Sequence, residues 1–284
     1  MQIIETTDLM IAKREEWRKA GLSVGFVPTM GFLHGGHLSL VRQAHNENDL
    51  VVVSIFVNPL QFAPHEDLER YPRNFAHDVA LLTSEGVTAV FHPSVEEMYP
   101  AGFDTGVEVG EMTTVLEGLF RAGHFRGVTT VVAKLFNTIG ATRAYFGQKD
   151  AQQVAVVRKM VSDLNFPVEV KVCPTSREPD GLAMSSRNVY LNEDERKAAP
   201  ILYQALQRAA SFWQHQPNKP GGSALCTIMR MMIETEPLAN IEYLSAADPL
   251  TLQEFNEVSS NQVLLSLAVR FGNTRLIDNL ILEA

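Results

Sequence analysis

The sequence predicts an α/β protein in which a mostly parallel, doubly wound sheet is followed by a smaller α+β domain. In the first part of the chain, short apolar runs alternate with segments of helical periodicity, which is typical of βαβ units and a parallel sheet. After Pro174 the pattern changes to helical segments followed by three strand-like runs. We therefore expect one domain over residues 1–175 and a second over residues 176–284.

Composition and charge are those of a globular protein with enough apolar residues for a large core. Hydrophobic residues make up 45% of the 284 residues and charged residues 20%, which is ordinary for folded domains. The formal net charge of −9 disfavours a general nucleic-acid binder, because such proteins carry a basic excess. A local basic pocket for an anionic substrate is compatible with this charge.

Cysteine usage and the lack of long apolar stretches predict a cytoplasmic protein. Cys173 and Cys226 are far apart in the sequence, so we expect a reducing compartment and no disulfide scaffold. The first residues lack a charged segment followed by an apolar one, so we expect no signal peptide. No run of about 18 uncharged apolar residues is present, so we expect no membrane-spanning helix and no membrane partner.

Alternating strand and helix patterns define the first domain. Residues 50–57 form a nearly continuous apolar run, as expected for a strand that is covered on both faces. The predicted strands are 23–28, 50–57, 87–92, 143–146 and 168–172, and the predicted helices are 7–20, 38–46, 74–85, 128–139 and 151–165.

The second domain begins with a turn-rich segment, residues 176–181, which we interpret as a linker. Asn192 followed by Glu195 is the signature of a capped helix start, and it predicts one helix through about Gln214. The remaining predicted elements are a helix at 224–234 and strands at 241–246, 263–269 and 274–281.

The stretch Pro28–His37 is the first candidate for chemistry. It reads as a strand end, a glycine-bearing turn and a helix start. Glycines allow close backbone approach by a ligand, and a helix N-terminus suits phosphate. His34 and His37 are three residues apart and so share a helix face. Two alternatives stay open: an ordinary βα turn with exposed histidines, and a zinc site, for which this pair supplies only two ligands.

Polar residues at the ends of two predicted strands are further candidates. Asn58 and Gln61 follow the second strand, and ligands of open α/β sheets bind outside the carboxyl ends of the strands. Both side chains could instead hydrogen-bond the turn backbone. After the fourth strand, Lys149 could contact phosphate and Asp150 could hold magnesium. The alternative is that Asp150 caps the following helix.

Two loops carry arginines suited to anions. Residues 121–127 combine two arginines, a histidine and glycines, a plausible anion-contacting composition. In Met184-Ser-Ser-Arg187, two hydroxyls and a planar guanidinium could grip a triphosphate.

Taken together, His34-Gly-Gly-His37 and Met184-Ser-Ser-Arg187 resemble the two signatures of the nucleotidyltransferases with a His-x-Gly-His motif. That superfamily binds ATP on a Rossmann-like domain and attacks its α-phosphate. A longer series of motifs resembles one family within it, the pantothenate synthetases (pantoate–β-alanine ligases). These motifs are Pro28-Thr-Met-Gly31, Asn58-Pro-Leu-Gln61-Phe62, Tyr71-Pro-Arg73, Gly123-His-Phe-Arg-Gly-Val128, Gly147-Gln-Lys-Asp150 with Gln153, and Asp180-Gly-Leu-Ala-Met-Ser-Ser-Arg-Asn188.

The resemblance implies a two-step ligation with ATP as co-substrate and Mg²⁺. Pantoate would attack the α-phosphorus of ATP, and β-alanine would then attack the enzyme-bound pantoyl adenylate, releasing pantothenate and AMP. It also implies a homodimer. The C-terminal domain would act as a lid that carries the Met-Ser-Ser-Arg loop. Ala122 departs from the family, which usually has proline there, and Ser176 and Pro179 are unusual near the linker.

The resemblance also implies roles for individual residues. His34, His37, Lys149 and Arg187 would be catalytic, and Asp150 would lie near the metal. Pantoate and β-alanine would contact Gln61, Gln153, Asn58 and Arg121. The ATP-binding set would be Met30, Gly31, Phe32, Leu33, His34, Gly35, Gly36, His37, Gly147, Gln148, Lys149, Asp150, Ser176, Met184, Ser185, Ser186 and Arg187.

Two other functions are carried as alternatives. One is another nucleotidyltransferase of the same superfamily that lacks the amine-attack step, which the Gln61 and Gln153 pair argues against. The other is a non-enzymatic module that senses nucleotides, which would bind ATP without pantoate-dependent pyrophosphate exchange.

Overall fold

The chain folds into two compact units. The computed structural model describes residues 1–64, 66–216, 218–255 and 262–283. The first unit contains Met1–Gly147 and Val156–Pro174, and the second contains Gln148–Ala155 and Thr175–Ala284. Residues 148–155 therefore group with the C-terminal part of the chain, whereas the domain boundary at residue 175 stays a prediction.

A parallel sheet flanked by helices forms the first unit. Its strands are β1 (Gln2–Ile4), β2 (Val24–Thr29), β3 (Leu50–Ile55), β4 (Ala89–Phe91), β5 (Arg143–Gly147) and β6 (Glu169–Cys173). The helices are α1 (Thr7–Lys19), α2 (Gly35–Glu47), α3 (Phe75–Ser84), α4 (Val95–Met98), α5 (Glu117–Phe120) and α6 (His124–Ile139), and α7 (Ala151–Asp163) continues from the second unit into the first. The strand order is β1-β4-β3-β2-β5-β6 with all neighbours parallel, which confirms the Rossmann-like, doubly wound fold.

Burial on both faces explains why β3 reads as an uninterrupted apolar run. Val51, Val52 and Val53 are fully buried, as is usual where helices cover both sides of a parallel sheet. Their register with β2 places Thr29 opposite Ile55. The segments that follow β2 and β3 therefore leave the sheet at the same level of its carboxyl edge.

The switch in strand order locates the crevice of the sheet. From β2 the chain adds β3 and β4 on one side, and it then adds β5 and β6 on the other side. The switch point lies between β2 and β5, and ligands of such sheets bind at the carboxyl ends of the strands there. The strand ends at Thr29 and Gly147 are thus the expected start of a binding site.

The second unit is a small α+β fold, as the sequence predicts. An antiparallel sheet is formed by β7 (Ala239–Ala247), β8 (Gln262–Phe271) and β9 (Thr274–Glu283), in that order. Its helices are α8 (Glu193–Ala198), α9 (Ile201–His215) and α10 (Gly222–Ile233). Its core includes the fully buried side chains of Leu206, Trp213, Met229 and Leu265.

Two predicted elements differ in the structure. The single helix expected through Gln214 is divided into α8 and α9, because Pro200 lies between them and lacks the N–H that would continue the helical hydrogen bonds. The capping box of Asn192 and Glu195 is present as predicted. The expected linker at 176–181 is instead part of a short hairpin, in which Arg177 pairs with Ala183.

The sequence pattern does not predict the edge strand β1. Only Ile4 of its three residues is buried, so the strand has no alternating apolar pattern.

Within the described ranges, no helix combines the length and apolar character needed to cross a membrane.

Candidate active site

The turn between β2 and α2 is shaped by a carboxylate from another helix. Gly31 and Phe32 have φ values of +82° and +51°, so two consecutive residues occupy the left-handed region, which is uncommon outside glycine. The N–H groups of Phe32 and Leu33 donate to Oδ2 and Oδ1 of Asp78 at 2.8 and 2.7 Å. Asp78 is 1% exposed. A buried carboxylate therefore holds this turn in a conformation that the sequence disfavours.

Asp78 was not predicted as a site residue, although the sequence contains a signal. It lies four residues before the fully buried Leu82 in α3, so the two side chains share the buried face of the helix. A carboxylate on an apolar helix face requires hydrogen-bond donors nearby. That requirement marks Asp78 as a candidate structural residue.

The paired histidines lie at the start of α2. His34 is the N-cap residue, and its Nδ1 accepts from the N–H of Gly36 at 3.2 Å, while Nδ1 of His37 accepts from the N–H of His34 at 3.3 Å. The ring centroids are 4.1 Å apart. Because both Nδ1 atoms act as acceptors, the hydrogen of each neutral ring is on Nε2. Two Nε2 donors and a helix N-terminus together make a site suited to phosphate.

Asn58 orients the side chain of Gln61. The Nδ2 atom of Asn58 donates to Oε1 of Gln61 and to the carbonyl oxygen of Gly127, both at 3.1 Å, and its Oδ1 accepts from the Tyr99 hydroxyl at 2.8 Å. Burial raises the pKa of the Tyr99 phenol, which keeps it protonated as a donor. The Gln61 amide consequently turns its Nε2 toward Met30 Sδ, at 3.1 Å. The structure thus brings together three of the predicted site residues.

Close packing of α6 fixes the backbone of the same turn. A Cβ atom built on Gly127 would lie 2.3 Å from the carbonyl oxygen of Leu60 and 2.6 Å from the nitrogen of Gln61. Only glycine permits this approach. Asn58 also accepts from the N–H of Leu60 at 3.2 Å, so the alternative interpretation of Asn58 as a turn residue is true as well.

A hydrogen-bonded chain of charged and neutral groups reaches Gln61 from the other side. The Nε and Nη2 atoms of Arg121 donate to the two carboxylate oxygens of Glu66 at 2.7 and 2.8 Å. Arg121 Nη1 lies 3.0 Å from Nε2 of His124, and His124 Nδ1 lies 2.8 Å from the carbonyl oxygen of Gln61. Since an arginine can only donate, Nε2 of the histidine accepts and Nδ1 donates to Gln61.

Burial keeps this histidine neutral. Desolvation, with a smaller contribution from the adjacent Arg121 cation, lowers the pKa of His124 to about 4. The guanidinium of Arg121 is bonded here to Glu66 and His124. Contact of Arg121 with the substrate stays a prediction. Within the motif Gly123-His-Phe-Arg-Gly, the sequence pattern did not distinguish His124 from its neighbours. His65, which precedes this ion pair in the sequence, lies outside the described residues.

The second unit carries most of the remaining candidates in two segments, and Gln153 lies in α7. Gln148–Asp150 forms a turn of 3-10 helix that leads into α7. Lys149 Nζ donates to Oδ1 of Asp150 at 3.2 Å. The Nδ2 atom of Asn279 in β9 donates to the carbonyl oxygens of Gln148 and Lys149 at 2.9 and 2.8 Å. Asn279 was missed because its place in the sequence, near the C-terminus, gives no sign of this contact.

The hairpin and the Met-Ser-Ser-Arg loop are continuous. The N–H of Met184 donates to the carbonyl oxygen of Ser176 at 2.9 Å, which closes the hairpin. The hydroxyl of Ser185 then caps a 3-10 helix, Ser186–Tyr190, by accepting from the N–H of Arg187 at 3.2 Å. Serine and arginine side chains are thereby displayed from a backbone that is hydrogen-bonded on both sides.

The described part of the chain offers few candidate ligands for a metal ion. Among the described residues, no group of three or more His, Cys, Asp or Glu side chains could hold an ion by itself. Asp150, whose side chain is 44% exposed, could still supply one carboxylate. This fits Mg²⁺, which is usually held by one or two carboxylates together with substrate phosphates.

Comparison with known proteins gives one consistent family. The sequence profile described as pantoate-beta-alanine ligase matches residues 2–281. The pantothenate synthetase of Chloroflexus aggregans is 56% identical over 282 residues, which cover 99% of this chain and 100% of that protein. The pantothenate synthetase of Roseiflexus castenholzii is 57% identical over 284 residues and covers 100% of both chains.

Solved structures agree with the sequence relatives. A crystal structure of pantothenate synthetase from Thermus thermophilus superposes with a TM-score of 0.91 at 47% identity and covers 99% of each chain. The pantoate-β-alanine ligase of Francisella tularensis, complexed with β-γ ATP and β-alanine, has a TM-score of 0.80 at 34% identity and covers 99% of this chain and 97% of that one.

Replacing the carboxylate that shapes the turn tests its structural role. We expect Asp78→Asn to lower the free energy of unfolding by about 1–3 kcal/mol, because its amide NH₂ would face one of the two N–H groups and leave it unpaired. Urea denaturation measures the change. Asp163→Asn is the control, because that side chain is 50% exposed and its surface ion pair contributes little. Equal midpoints for Asp78→Asn and the wild type would contradict the role.

The buried histidine predicts a pH dependence of stability. Between about pH 6.5 and pH 4, His124 is protonated in the unfolded state but not in the folded state. The free energy of unfolding should therefore fall as the pH is lowered through this range, by up to about 3 kcal/mol. His124→Gln should remove this component and give a flatter curve, whereas His77→Gln, on an exposed residue, should not. Parallel curves of the free energy of unfolding against pH for His124→Gln and the wild type would contradict the role of His124 in this pH dependence.

Proposed function

Because the chain belongs to the pantoate-β-alanine ligase family, we propose that it joins pantoate to β-alanine through an enzyme-bound pantoyl adenylate. The observation that carries this proposal is the pair of Nε2 donors at the N-terminus of α2, together with the oriented amide of Gln61. The Francisella tularensis relative, complexed with β-γ ATP and β-alanine, supports the same substrates here.

The chemistry explains why ATP is required. A carboxylate is a poor acyl donor, because its leaving group would be oxide. In the proposed first step, a pantoate carboxylate oxygen attacks the α-phosphorus of ATP and pyrophosphate leaves. In the second step, the amine of β-alanine attacks the acyl carbon and AMP leaves. The reaction needs no nucleophile from the protein, so positioning and charge stabilisation are its main contributions.

The charged and imidazole side chains are suited to the phosphates. His34 and His37 would donate from Nε2 to phosphate oxygens and stabilise the charge that develops as pyrophosphate leaves. We assign Lys149 and Arg187 to the same task. The backbone of Met30–His37 and the segments Gly147–Asp150, Ser176 and Met184–Arg187 would bind the rest of ATP.

Neutral amides are suited to pantoate. Gln61 and Gln153 can hydrogen-bond a carboxylate and hydroxyl groups without forming an ion pair that would weaken the nucleophile. Asn58 would contribute by holding the Gln61 amide in one orientation, because its own polar atoms are bonded to Gln61, Gly127 and Tyr99.

We further propose that Mg²⁺ accompanies ATP, that the protein forms homodimers and that it acts in the cytoplasm. Asp150 would provide the protein ligand for the metal, and Mg²⁺ would neutralise charge on the phosphate oxygens. The two widely separated free cysteines, Cys173 and Cys226, are compatible with a reducing compartment.

The direct test of the function is product formation by the purified chain. We expect AMP to be released only when pantoate, β-alanine and ATP are all present. Pyrophosphate should exchange into ATP when pantoate is present and β-alanine is absent. Pantoate-dependent exchange with no AMP release when β-alanine is added would favour another nucleotidyltransferase, in which the AMP group stays in the product. ATP binding without any pantoate-dependent exchange would favour a nucleotide sensor.

Two substitutions separate the chemical role of His37 from its structural role. Asparagine places an acceptor near the position of Nδ1, which caps the His34 N–H, whereas glutamine places a donor near the position of Nε2. We expect His37→Asn to raise the adenylation barrier by about 2–4 kcal/mol, the cost of one lost transition-state donor, and His37→Gln to retain more activity. Single-turnover adenylation measures this, with His77→Asn as control. Equal rates for the asparagine and glutamine variants would exclude an Nε2 role.

A further inference from the structure

We propose that Asp278 and Asn279, adjacent residues of β9, position two segments of the second unit that are far apart in the sequence. These segments are Gln148–Asp150 and Ser176–Arg187. The inference rests on the proposed function in one respect, namely that both segments contact ATP. Nothing in the sequence pattern of β9 distinguishes this pair from an ordinary strand end, whereas its hydrogen bonds do.

Asn279 holds the first segment by its backbone. Its Nδ2 donates to two consecutive carbonyl oxygens, those of Gln148 and Lys149, at 2.9 and 2.8 Å. Its Oδ1 accepts from Nε2 of Gln148 at 3.0 Å. The residue is 4% exposed, so these bonds are shielded from water. These bonds thus hold the backbone from which the Lys149 side chain extends.

Asp278 holds the second segment through Arg177. The two carboxylate oxygens of Asp278 accept from Nη1 and Nη2 of Arg177 at 2.6 and 2.9 Å, the two-point geometry that only a guanidinium gives. Arg177 Nη1 also donates to the carbonyl oxygen of Gly181 at 3.1 Å, and its Cζ lies 3.7 Å from the ring centre of Tyr203. The guanidinium is therefore held by a carboxylate, a backbone carbonyl and an aromatic ring at once.

The hairpin carries this constraint to the serine loop. Arg177 pairs with Ala183, and the N–H of Met184 donates to the carbonyl oxygen of Ser176. Fixing Arg177 consequently fixes the residue that immediately precedes Ser185. Arg177 is thus a positioning residue for the Met-Ser-Ser-Arg loop rather than a group that contacts ATP.

The two anchors are coupled because they are neighbours on one strand. Successive side chains of a strand point to opposite faces of the sheet, so Asp278 and Asn279 reach the two segments from opposite sides of β9. The N–H of Asn279 also donates to Oδ1 of Asp278 at 2.7 Å. Burial raises the pKa of the Asp278 carboxyl, and Arg177 acts in the opposite direction. The two segments therefore keep one mutual arrangement within this unit.

A double-mutant cycle tests the first anchor. We expect Asn279→Ala in the full chain to lower the rate of pantoate-dependent exchange of pyrophosphate into ATP by up to about a hundredfold, which a misplacement of about 1 Å can cost. If Asn279 acts through Lys149, the double variant should be no slower than Lys149→Ala alone, because residues that act as a unit are not additive. Losses that multiply would overturn the proposal.

Ser266→Ala is the matched control. Ser266 lies opposite Asn279 in β8 and is similarly buried, and its hydroxyl has no hydrogen-bond partner in the described part of the chain. This variant should exchange pyrophosphate at the wild-type rate. A loss like that of Asn279→Ala would show that any change in this sheet impairs the reaction, and it would remove the special role of Asn279.

Amide hydrogen exchange keeps the proposal testable if a variant is unstable or the chain is inactive. In Asn279→Ala, amides of residues 148–151 should exchange faster than in the wild type. In Arg177→Lys, which keeps the charge but loses the two-point contact, the amides of Glu178 and Met184 should exchange faster. Amides of α10 should not change in either variant. Unchanged amide hydrogen exchange in both segments would overturn the positioning roles of Asp278 and Asn279. A wild-type chain that shows no pantoate-dependent exchange of pyrophosphate into ATP would overturn only the proposed function.

Discussion

The contact of the Asp78 carboxylate with two consecutive backbone N–H groups is the constraint on which the candidate site residues of the first unit depend. Two left-handed residues in succession, one of them Phe32, are unfavourable by themselves. The buried carboxylate makes this turn the stable one, because any other path would leave its oxygens without donors. Helix α2 can then begin at Gly35, immediately after the turn, with His34 as its N-cap.

Protein hydrogen bonds also set the orientation of His34, His37 and Gln61 in the same unit. Backbone N–H groups fix the tautomers of both histidines, Asn58 fixes the amide of Gln61, and His124 fixes its carbonyl oxygen. Each of these groups is oriented by protein contacts before any substrate arrives. Preorganised donors are effective in catalysis because they require little reorganisation as charge develops.

Periodicity predicted the sheet well because burial on both faces leaves a strong apolar signal, as in Val51–Val53. It failed where structure depends on contacts that sequence spacing does not reveal. The helix that the capping signature predicts through Gln214 includes Pro200, whose missing N–H divides it in the structure. The residues of the candidate site that follow strand ends could be proposed from position alone. Asp78 is marked only as a carboxylate on an apolar helix face, and neither its partners nor those of His124 and Asn279 follow from spacing, because each acts on a segment at least 45 residues away in the sequence.

A buried carboxylate orders a loop in each of the two units. In each unit a glycine-containing or serine-containing segment is held by a buried carboxylate, Asp78 in the first and Asp278 in the second. Such groups add little stability relative to well-packed apolar replacements, because their desolvation offsets much of what their hydrogen bonds contribute, whereas changing one partner alone is costly. Their effect is on uniqueness, since a buried carboxylate is tolerated only when its donors are in place. We infer that Asp78 and Asp278 each select one backbone conformation for a candidate ligand-binding loop, while the apolar core of each unit supplies most of its stability.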